Sequence, residues 1–280
     1  MTSFQFKTTN GAYPVNVNIN PSSTEHRPNQ ALIDKASKTT IIFLNALGVP
    51  LRKYSKFING STEKGFTVIS TDYPNCGENT PHIKRGIDYG YDELVNHFVH
   101  NLVQIAKDHT PDNDIVLIGH SLGGHLGTIY SAIHNVPVIG IACGSTHYKS
   151  WKGRGRIRIL LAVAVIQALI RVYGFLPGYK IGLGEREAKT MMQEWCETAL
   201  TGKFDYITQP LDTDKGHGLY INIEGDKFAP MLSTWKLAQM CSRSKVIQVT
   251  LDDDLIGNPH GVWIKRPEIV INAVCDNLDF

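Results

Sequence analysis

The stretch from Asp114 to His125 places the tightest constraint on how this chain folds. It reads Asp-Ile-Val-Leu-Ile-Gly-His-Ser-Leu-Gly-Gly-His. Its run from Ile115 to Ile118 is continuously apolar, which is typical of a strand buried on both faces of a parallel sheet. A helical pattern begins directly after it, with apolar residues at helical spacing: Leu122, Leu126, Ile129, Tyr130 and Ile133. Ser121 is therefore predicted to lie at a tight turn from strand to helix.

The glycines around Ser121 indicate a nucleophile. Gly119 and Gly123 stand two residues before and two residues after it. In a Gly-x-Ser-x-Gly turn the serine is held in a strained conformation that exposes its hydroxyl, and the flanking positions approach other backbone too closely to carry side chains. The N–H of Leu122, at the start of the helix, is aimed where an oxyanion would form. The sequence thus predicts Ser121 as nucleophile and Leu122 as one oxyanion donor.

Length and composition narrow the class of protein. A chain of 280 residues accommodates one large α/β domain or a domain with an insertion. The net charge of +2, without aromatic residues interleaved in a basic stripe, argues against nucleic acid as a partner. The five cysteines are widely spaced and lack a Cys-x-x-Cys pair, so neither a disulfide framework nor a zinc site is expected. We expect no metal and no organic cofactor.

The cellular location is predicted from the apolar segments. Residues 1–11 lack the apolar core of a signal peptide. The longest apolar run, Ile159 to Ala168, is interrupted by Gln167 and is shorter than the ~20 residues that a membrane span needs. We therefore expect a cytoplasmic protein without a transmembrane segment.

Strand and helix patterns alternate along most of the chain. Strand patterns occur at residues 4–19, Thr40–Leu44, Phe66–Thr71, Val136–Cys143, Gly218–Ile223 and Lys245–Leu251. The clearest amphipathic helix runs from Tyr91 to Ala106, and Asn20 to Lys38 is predicted as a surface loop. Strands and helices that alternate with short connections form right-handed β-α-β units. The fold class is therefore α/β, with a mostly parallel central sheet flanked by helices.

The alternation stops between residues 147 and 214, where no run is typical of a central strand. This segment holds a basic stretch, the apolar run and a further helix from Arg186 to Ala199. We expect a core domain of residues 1–146 and 215–280 and a helical cap insertion of residues 147–214. The apolar run places apolar groups nearly all around a helix. It is compatible with packing inside the cap, with a homodimer formed through the cap, or with an acyl pocket.

Ser121 needs a base to take its proton and an acid to orient that base. Because reactive groups collect at the carboxyl ends of parallel strands, Asp226 and His260, which follow two successive predicted strands, are the candidates. Glu224 and the run Asp252 to Asp254 compete with Asp226 as the acid. Four more histidines are close to predicted strand ends or to Ser121: His147 and His217 compete as the base, and His120 and His125 are interpreted as structural.

A second oxyanion donor is expected in the turn from Asn45 to Pro50, which follows a predicted buried strand and is rich in small residues. A turn of this kind beside the serine supplies a backbone N–H from Leu47 or Ala46. Cys143 and Asp72 also follow strands. We interpret them as a packing residue and a capping residue.

With these residues in place, the chain resembles the α/β-hydrolase superfamily across nearly its whole length. Gly-His-Ser121-Leu-Gly-Gly is similar to its nucleophile elbow, Gly-Asp226-Lys-Phe-Ala-Pro to its acid loop and Asn-Pro-His260-Gly-Val-Trp to its histidine loop. More narrowly, the chain is similar to a group of uncharacterised bacterial α/β hydrolases with a helical cap, through Gly178-Tyr179 and Trp195-Cys196 in the cap. The oxyanion turn departs from many relatives, which have His-Gly at Asn45-Ala46.

The resemblance implies a hydrolase but leaves its substrate open. Together the residues predict a serine hydrolase that cleaves a small-molecule carboxylic ester or thioester, with an apolar acyl group, through an acyl-enzyme intermediate. An acyltransferase or a peptidase on the same triad is an alternative. So is a ligand-binding protein that keeps the fold without turnover.

Overall fold

One eight-stranded sheet forms the centre of the molecule. The computed structural model describes residues 2–23 and 35–279. The strands are β1 Thr2–Thr8, β2 Gly11–Asn20, β3 Thr39–Leu44, β4 Thr67–Ser70, β5 Asp114–His120, β6 Val138–Ile141, β7 His217–Ile223 and β8 Arg243–Val249. They lie in the order β1-β2-β4-β3-β5-β6-β7-β8, antiparallel at β1–β2 and β2–β4 and parallel in every other pair. The predicted mostly parallel sheet is confirmed.

Helices cover both faces of this sheet. They are α1 Ser55–Glu63, α2 residues 91–109, α3 Leu122–His134, α4 Arg154–Tyr173, α5 Lys189–Thr201, α6 Met231–Ala238, α7 Pro259–Val262 and α8 Glu268–Cys275. Alternate residues of β3 point into two separate cores. Ile42 and Leu44 pack with residues of α2, α3 and α6 on one face of the sheet. Ile41 and Phe43 pack with residues of α1 and α8 on the other. Because both of its faces are covered, β3 is a continuous apolar run.

The segment between β6 and β7, residues 142–216, contributes no strand to the sheet among its described residues, and we call it the β6–β7 segment. Its two helices, α4 and α5, pack against each other. The predicted helix start at Arg186 is wrong by three residues, since α5 begins at Lys189. The backbones of Leu176 and Glu187 exchange two hydrogen bonds of 2.9 and 3.0 Å, which holds the chain extended before α5.

Several contacts fix the β6–β7 segment to the sheet domain, among them one at the turn after β3 and one at the start of α2. At the turn after β3, a Cβ on Gly48 would lie 2.2 Å from Gly184 Cα, so the two backbones touch. Both glycines have positive φ, 67° and 78°, a conformation that side chains disfavour. At the start of α2, the N–H of Tyr91 donates to Glu194 Oε2 at 2.6 Å. Contact with the turn after β3 brings this segment to the edge of the sheet where Ser121 lies.

The predicted edge strands of residues 4–19 form the hairpin β1–β2, and β2 also pairs with β4, so of these two strands only β1 lies at an edge of the sheet. Most of the loop predicted for Asn20 to Lys38 lies outside the described residues. In the part of the chain that the structure describes, no helix is both long and apolar enough to cross a membrane.

Candidate active site

Ser121 lies at the turn between β5 and α3 with φ 52° and ψ −109°, a backbone conformation that non-glycine residues rarely adopt. Its N–H donates to the carbonyl oxygen of Ile141 at 3.1 Å, which fixes the turn against β6. A Cβ on Gly119 would lie 2.1 Å from the carbonyl carbon of Gly123, and one on Gly123 would lie 2.1 Å from the carbonyl oxygen of Leu44. The two glycines therefore permit the strained turn that the sequence pattern indicates.

The structure brings Ser121, His260 and Asp226 together in a hydrogen-bonded row. His260 Nε2 lies 3.0 Å from Ser121 Oγ, and His260 Nδ1 lies 2.8 Å from Asp226 Oδ2. An ionised carboxylate only accepts hydrogen bonds, so His260 donates its Nδ1–H to Asp226. Nε2 of the neutral imidazole is then free to accept the hydroxyl proton of Ser121. This is the arrangement of nucleophile, base and orienting acid that acyl transfer requires.

Local backbone contacts orient the acid and the base. Asp226 has a fully buried side chain, and its Oδ1 accepts the N–H groups of Phe228 and Ala229 at 2.7 and 3.1 Å. Because these two N–H groups occupy Oδ1, the other carboxylate oxygen, Oδ2, accepts the hydrogen bond from His260. At the other end, Asn258 caps α7 by accepting the N–H of His260 at 3.1 Å. Both contacts are encoded locally, within three residues of the side chain that they position.

The competing acids and bases lie elsewhere. Glu224 is exposed and accepts the hydroxyl of Thr250 at 2.7 Å. The acidic run pairs with Arg266 through Asp252 and Asp254. Of the two competing bases, His217 contacts Arg243 and the His147 ring packs on Tyr148. The residues interpreted as structural also have partners. His125 bonds to the carbonyl oxygen of Gly144, and Asp72 accepts the N–H groups of Leu51 and Glu78.

A second buried row of hydrogen bonds, which sequence reasoning missed, joins the histidine loop to the turn after β3. His120 Nε2 lies 2.8 Å from the carbonyl oxygen of His260 and must donate to it. His120 Nδ1 then accepts the hydroxyl of Tyr54 at 2.7 Å, and Tyr54 accepts the N–H of Ala46 at 3.1 Å. Burial and the nearby His260 hold the pKa of His120 well below its usual value, so the imidazole stays neutral and keeps this direction.

This row of hydrogen bonds distinguishes between Ala46 and Leu47, the two candidates for the second oxyanion donor. The N–H of Ala46 is already bonded to Tyr54. Within the described residues, the N–H groups of Leu47 and Leu122 have no hydrogen-bond partner. Of the two sequence candidates in the turn, Leu47 is the one whose N–H remains available to a ligand. Tyr73 fixes the turn from its other side by donating its hydroxyl to the carbonyl oxygen of Asn45 at 2.8 Å.

Comparison with known proteins supports the fold. The model of the family described as alpha/beta hydrolase fold matches residues 39–160, which include β3, β5, the turn after β3 and Ser121. The chain has the α/β-hydrolase fold. None of the curated proteins compared with it matches significantly.

Several solved structures share this fold over almost the whole chain at low sequence identity. A monoacylglycerol lipase from Paleococcus ferrophilus is 12% identical, with a TM-score of 0.61 over 94% of this chain and 98% of that one. A soluble variant of monoglyceride lipase from Saccharomyces cerevisiae is 12% identical, with a TM-score of 0.64 over 95% and 92%. A thermophilic esterase from Thermogutta terrifontis is 12% identical, with a TM-score of 0.60 over 99% and 98%.

Proposed function

We propose that this protein is a cytoplasmic serine hydrolase that cleaves small-molecule carboxylic esters or thioesters. The observation that carries the proposal is the hydrogen-bonded row from Ser121 through His260 to Asp226, which begins at a strained turn at the end of β5. The α/β-hydrolase fold, which the chain shares with lipases and esterases, supports hydrolysis of esters. All five cysteines are free thiols, in keeping with a reducing compartment.

The first half of the reaction forms an acyl-enzyme. Ser121 Oγ attacks the acyl carbon while His260 Nε2 takes its proton, and Asp226 stabilises the imidazolium that results. Negative charge develops on the former carbonyl oxygen, and the unpaired N–H groups of Leu122 and Leu47 are the donors assigned to it. His260 then gives its proton to the departing alcohol or thiol.

The second half returns the enzyme to its starting state. With the alcohol or thiol gone, a water molecule occupies its place, and His260 Nε2 removes a proton from that water as it attacks the acyl carbon. The tetrahedral intermediate expels Ser121 Oγ, which recovers its proton from His260, and the carboxylic acid leaves. The row of three side chains thus serves both halves without any cofactor.

Residues 147–214 are proposed to act as a helical cap over this site, and the acyl group is proposed to be apolar. Contact between Gly184 and Gly48, one residue after Leu47, supports the cap. So does the bond of 2.9 Å that Trp151 Nε1 donates to the carbonyl oxygen of Lys227, next to Asp226. An apolar acyl group is supported by Phe228, which is 57% exposed and whose ring lies edge-on to His260 with centroids 5.4 Å apart.

Substitution of Ser121 by Ala tests the proposal. A panel of acyl p-nitrophenyl esters and acyl-CoA thioesters, together with a fluorophosphonate probe, should detect turnover and labelling of the wild type. In Ser121→Ala both should vanish, since loss of a triad serine costs on the order of 10⁶ in kcat in a well-evolved enzyme. Ser55→Ala, which changes an exposed serine on α1, is the control and should behave as wild type.

The thermal midpoint of Ser121→Ala should be no lower than that of the wild type, since this change removes an oxygen and leaves the glycines of the turn in place. Equal ester turnover in the Ser121→Ala and wild-type chains would contradict the assignment. Turnover of peptide substrates, or transfer of the acyl group to an added alcohol in place of water, would redirect it to a peptidase or an acyltransferase on the same triad.

A further inference from the structure

One face of α4 is apolar and exposed. Ile157, Leu161, Val165 and Val172 recur at helical spacing and are between 45% and 66% exposed. The opposite face, formed by Val163, Ile166 and Ile170, is at most 4% exposed and belongs to the core. A helix on the surface of a protein ordinarily presents polar residues to water, and a contiguous exposed apolar patch marks an interaction site. We call this exposed side the α4 face.

The α4 face is surrounded by positive charge. Between residues 147 and 184 there are seven Lys and Arg residues and no Asp or Glu, although the whole chain has 26 Asp and Glu and a net charge of only +2. The remainder of the chain is therefore net negative. Arg154, Arg156 and Arg158 occupy the first turns of α4, Arg171 its last turn, and all four are exposed. Apolar and cationic side chains thus share one surface that is free of anions in its own sequence.

We propose that the α4 face docks on a membrane surface that contains anionic lipids, with the α4 axis parallel to that surface. Amphipathic helices bind in this way when their apolar residues enter the boundary between headgroups and acyl chains while Lys and Arg meet the phosphates. Leu161 and Val165 lie in the middle of the face and supply the inserted groups. Arg154 and Arg158, at helical spacing from Leu161, lie on the same side of α4 in its first turns and extend to the headgroups.

A second copy of the chain and an acyl group fit this helix less well. A homodimer with two-fold symmetry would place the same surface on both sides of the interface and so bring the two cationic rims together. An acyl pocket above Ser121 would need inward-facing side chains, whereas Leu161 is 60% exposed. A lipid surface satisfies both the apolar and the cationic parts of the face.

Docking would also bring the active site close to lipid, a consequence that rests on the proposed function. Trp151, three residues before α4, donates its Nε1–H to the carbonyl oxygen of Lys227 at 2.9 Å. The next residue, Phe228, lies against His260. The docked segment is therefore connected to the loop of the proposed acid, and acyl esters dissolved in the membrane would be nearby substrates.

Vesicle sedimentation tests the docking without reference to activity. We expect the wild-type chain to sediment at least tenfold more strongly with equimolar phosphatidylcholine and phosphatidylglycerol vesicles than with phosphatidylcholine alone, and less strongly as salt is raised. Ser121→Ala should bind as wild type does. Binding by an inactive chain would thus support docking even if the proposed hydrolase function failed.

Two variants and a matched control locate the surface. Leu161→Ser removes an exposed apolar group without changing net charge and should weaken binding about tenfold. Arg158→Glu should weaken it more than tenfold, because it reverses an exposed charge on the α4 face that meets the headgroups. Lys107→Glu, which makes the same charge change at an exposed site on α2, should leave binding within about twofold of wild type. Since all three positions are exposed, their thermal midpoints should match the wild type.

Three results would overturn the proposal. The first is absence of binding to the anionic vesicles, or equal binding to both kinds. The second is equal loss of binding in Lys107→Glu and Arg158→Glu, which would indicate unspecific charge attraction. The third is a stable dimer in sedimentation velocity that Leu161→Ser dissociates, which would assign the α4 face to a second copy of the chain.

Discussion

Asp226 shows how a single buried side chain can be restricted to one task. Its Oδ1 is occupied by two backbone N–H groups and its Oδ2 by His260 Nδ1. The carboxylate therefore has one orientation and one partner side chain. Because it is an acceptor at both oxygens, it selects the His260 tautomer in which Nε2 is unprotonated and able to accept a proton from Ser121.

Asp226→Asn should therefore impair turnover far more than folding. The amide nitrogen next to His260 Nδ1 would donate, favour the wrong tautomer and lower kcat by about 10³ to 10⁴. Steady-state ester hydrolysis measures this. Glu224→Gln and Asp252→Asn serve as matched controls, since neither residue contacts His260, and each should keep kcat within about twofold of wild type. Full activity in Asp226→Asn would mean that another group orients the base.

The order of these residues along the chain was predictable, whereas their neighbours were not. Ser121, Asp226 and His260 each follow a predicted strand, and the rule that reactive groups gather at the carboxyl ends of parallel strands places them at one edge. No such rule finds Tyr54. Its partner His120 lies 66 residues away, and their contact depends on how the turn before α1 packs against the end of β5, which a local pattern does not encode.

At the scale of elements, the row from Ala46 through Tyr54 and His120 to the His260 carbonyl joins three separate parts of the fold. These are the turn after β3, the end of β5 and the start of α7. The turn carries Leu47 and α7 carries His260. Their relative position is thus maintained by one buried hydroxyl as well as by the sheet.

Tyr54→Phe should test this link. It leaves the N–H of Ala46 and Nδ1 of His120 without a partner, so we expect the free energy of unfolding to fall by about 1 to 3 kcal/mol. If the row positions the turn, kcat should also fall, by about tenfold, with KM little changed. Tyr130→Phe is the control, because the Tyr130 hydroxyl bonds to His100 at 3.2 Å in another part of the fold. It should lose stability but keep kcat, and equal kcat values in the two variants would limit Tyr54 to a structural role.

Most of the helices and strands could be predicted from the spacing of their apolar residues, because a buried strand or helix places apolar side chains at a regular interval. The start of α5 was misplaced because residues 186–188 have a helical pattern but pair with the backbone around Leu176. Hydrogen bonds between distant backbone segments override local preference in this way. The placement of β1 and β2 at the sheet edge was expected, but not that β2 would pair with β4.

At the scale of the whole molecule, Glu187 makes stability depend on pH. It is 3% exposed, beside a cavity of about 340 Å³ at the turn after β3, and burial followed by the charge of Glu185 raises its pKa from about 4.5 to about 8. The folded chain therefore holds a proton that the unfolded chain releases above pH 4.5. Its contribution to stability is present below that pH and is lost as the pH rises toward 8.

Glu187→Gln should remove this dependence. Between about pH 4.5 and pH 8, we expect the free energy of unfolding of the wild type to fall relative to the variant by up to about 1.4 kcal/mol per pH unit. Urea unfolding at several pH values measures the difference, which should become constant above pH 8. Glu63→Gln, at an exposed site in α1, is the control and should track the wild type. A constant difference between Glu187→Gln and wild type at all pH values would refute the raised pKa.

The contact between Gly48 and Gly184 sets a limit on motion. With no side chain on either residue, the two backbones already touch, so the β6–β7 segment has no room to move further toward the turn after β3. In the proposed cap arrangement the pair acts as a mechanical stop that sets the closest approach of this segment to the turn after β3, so substrate entry and product exit would depend on the opposite, opening movement.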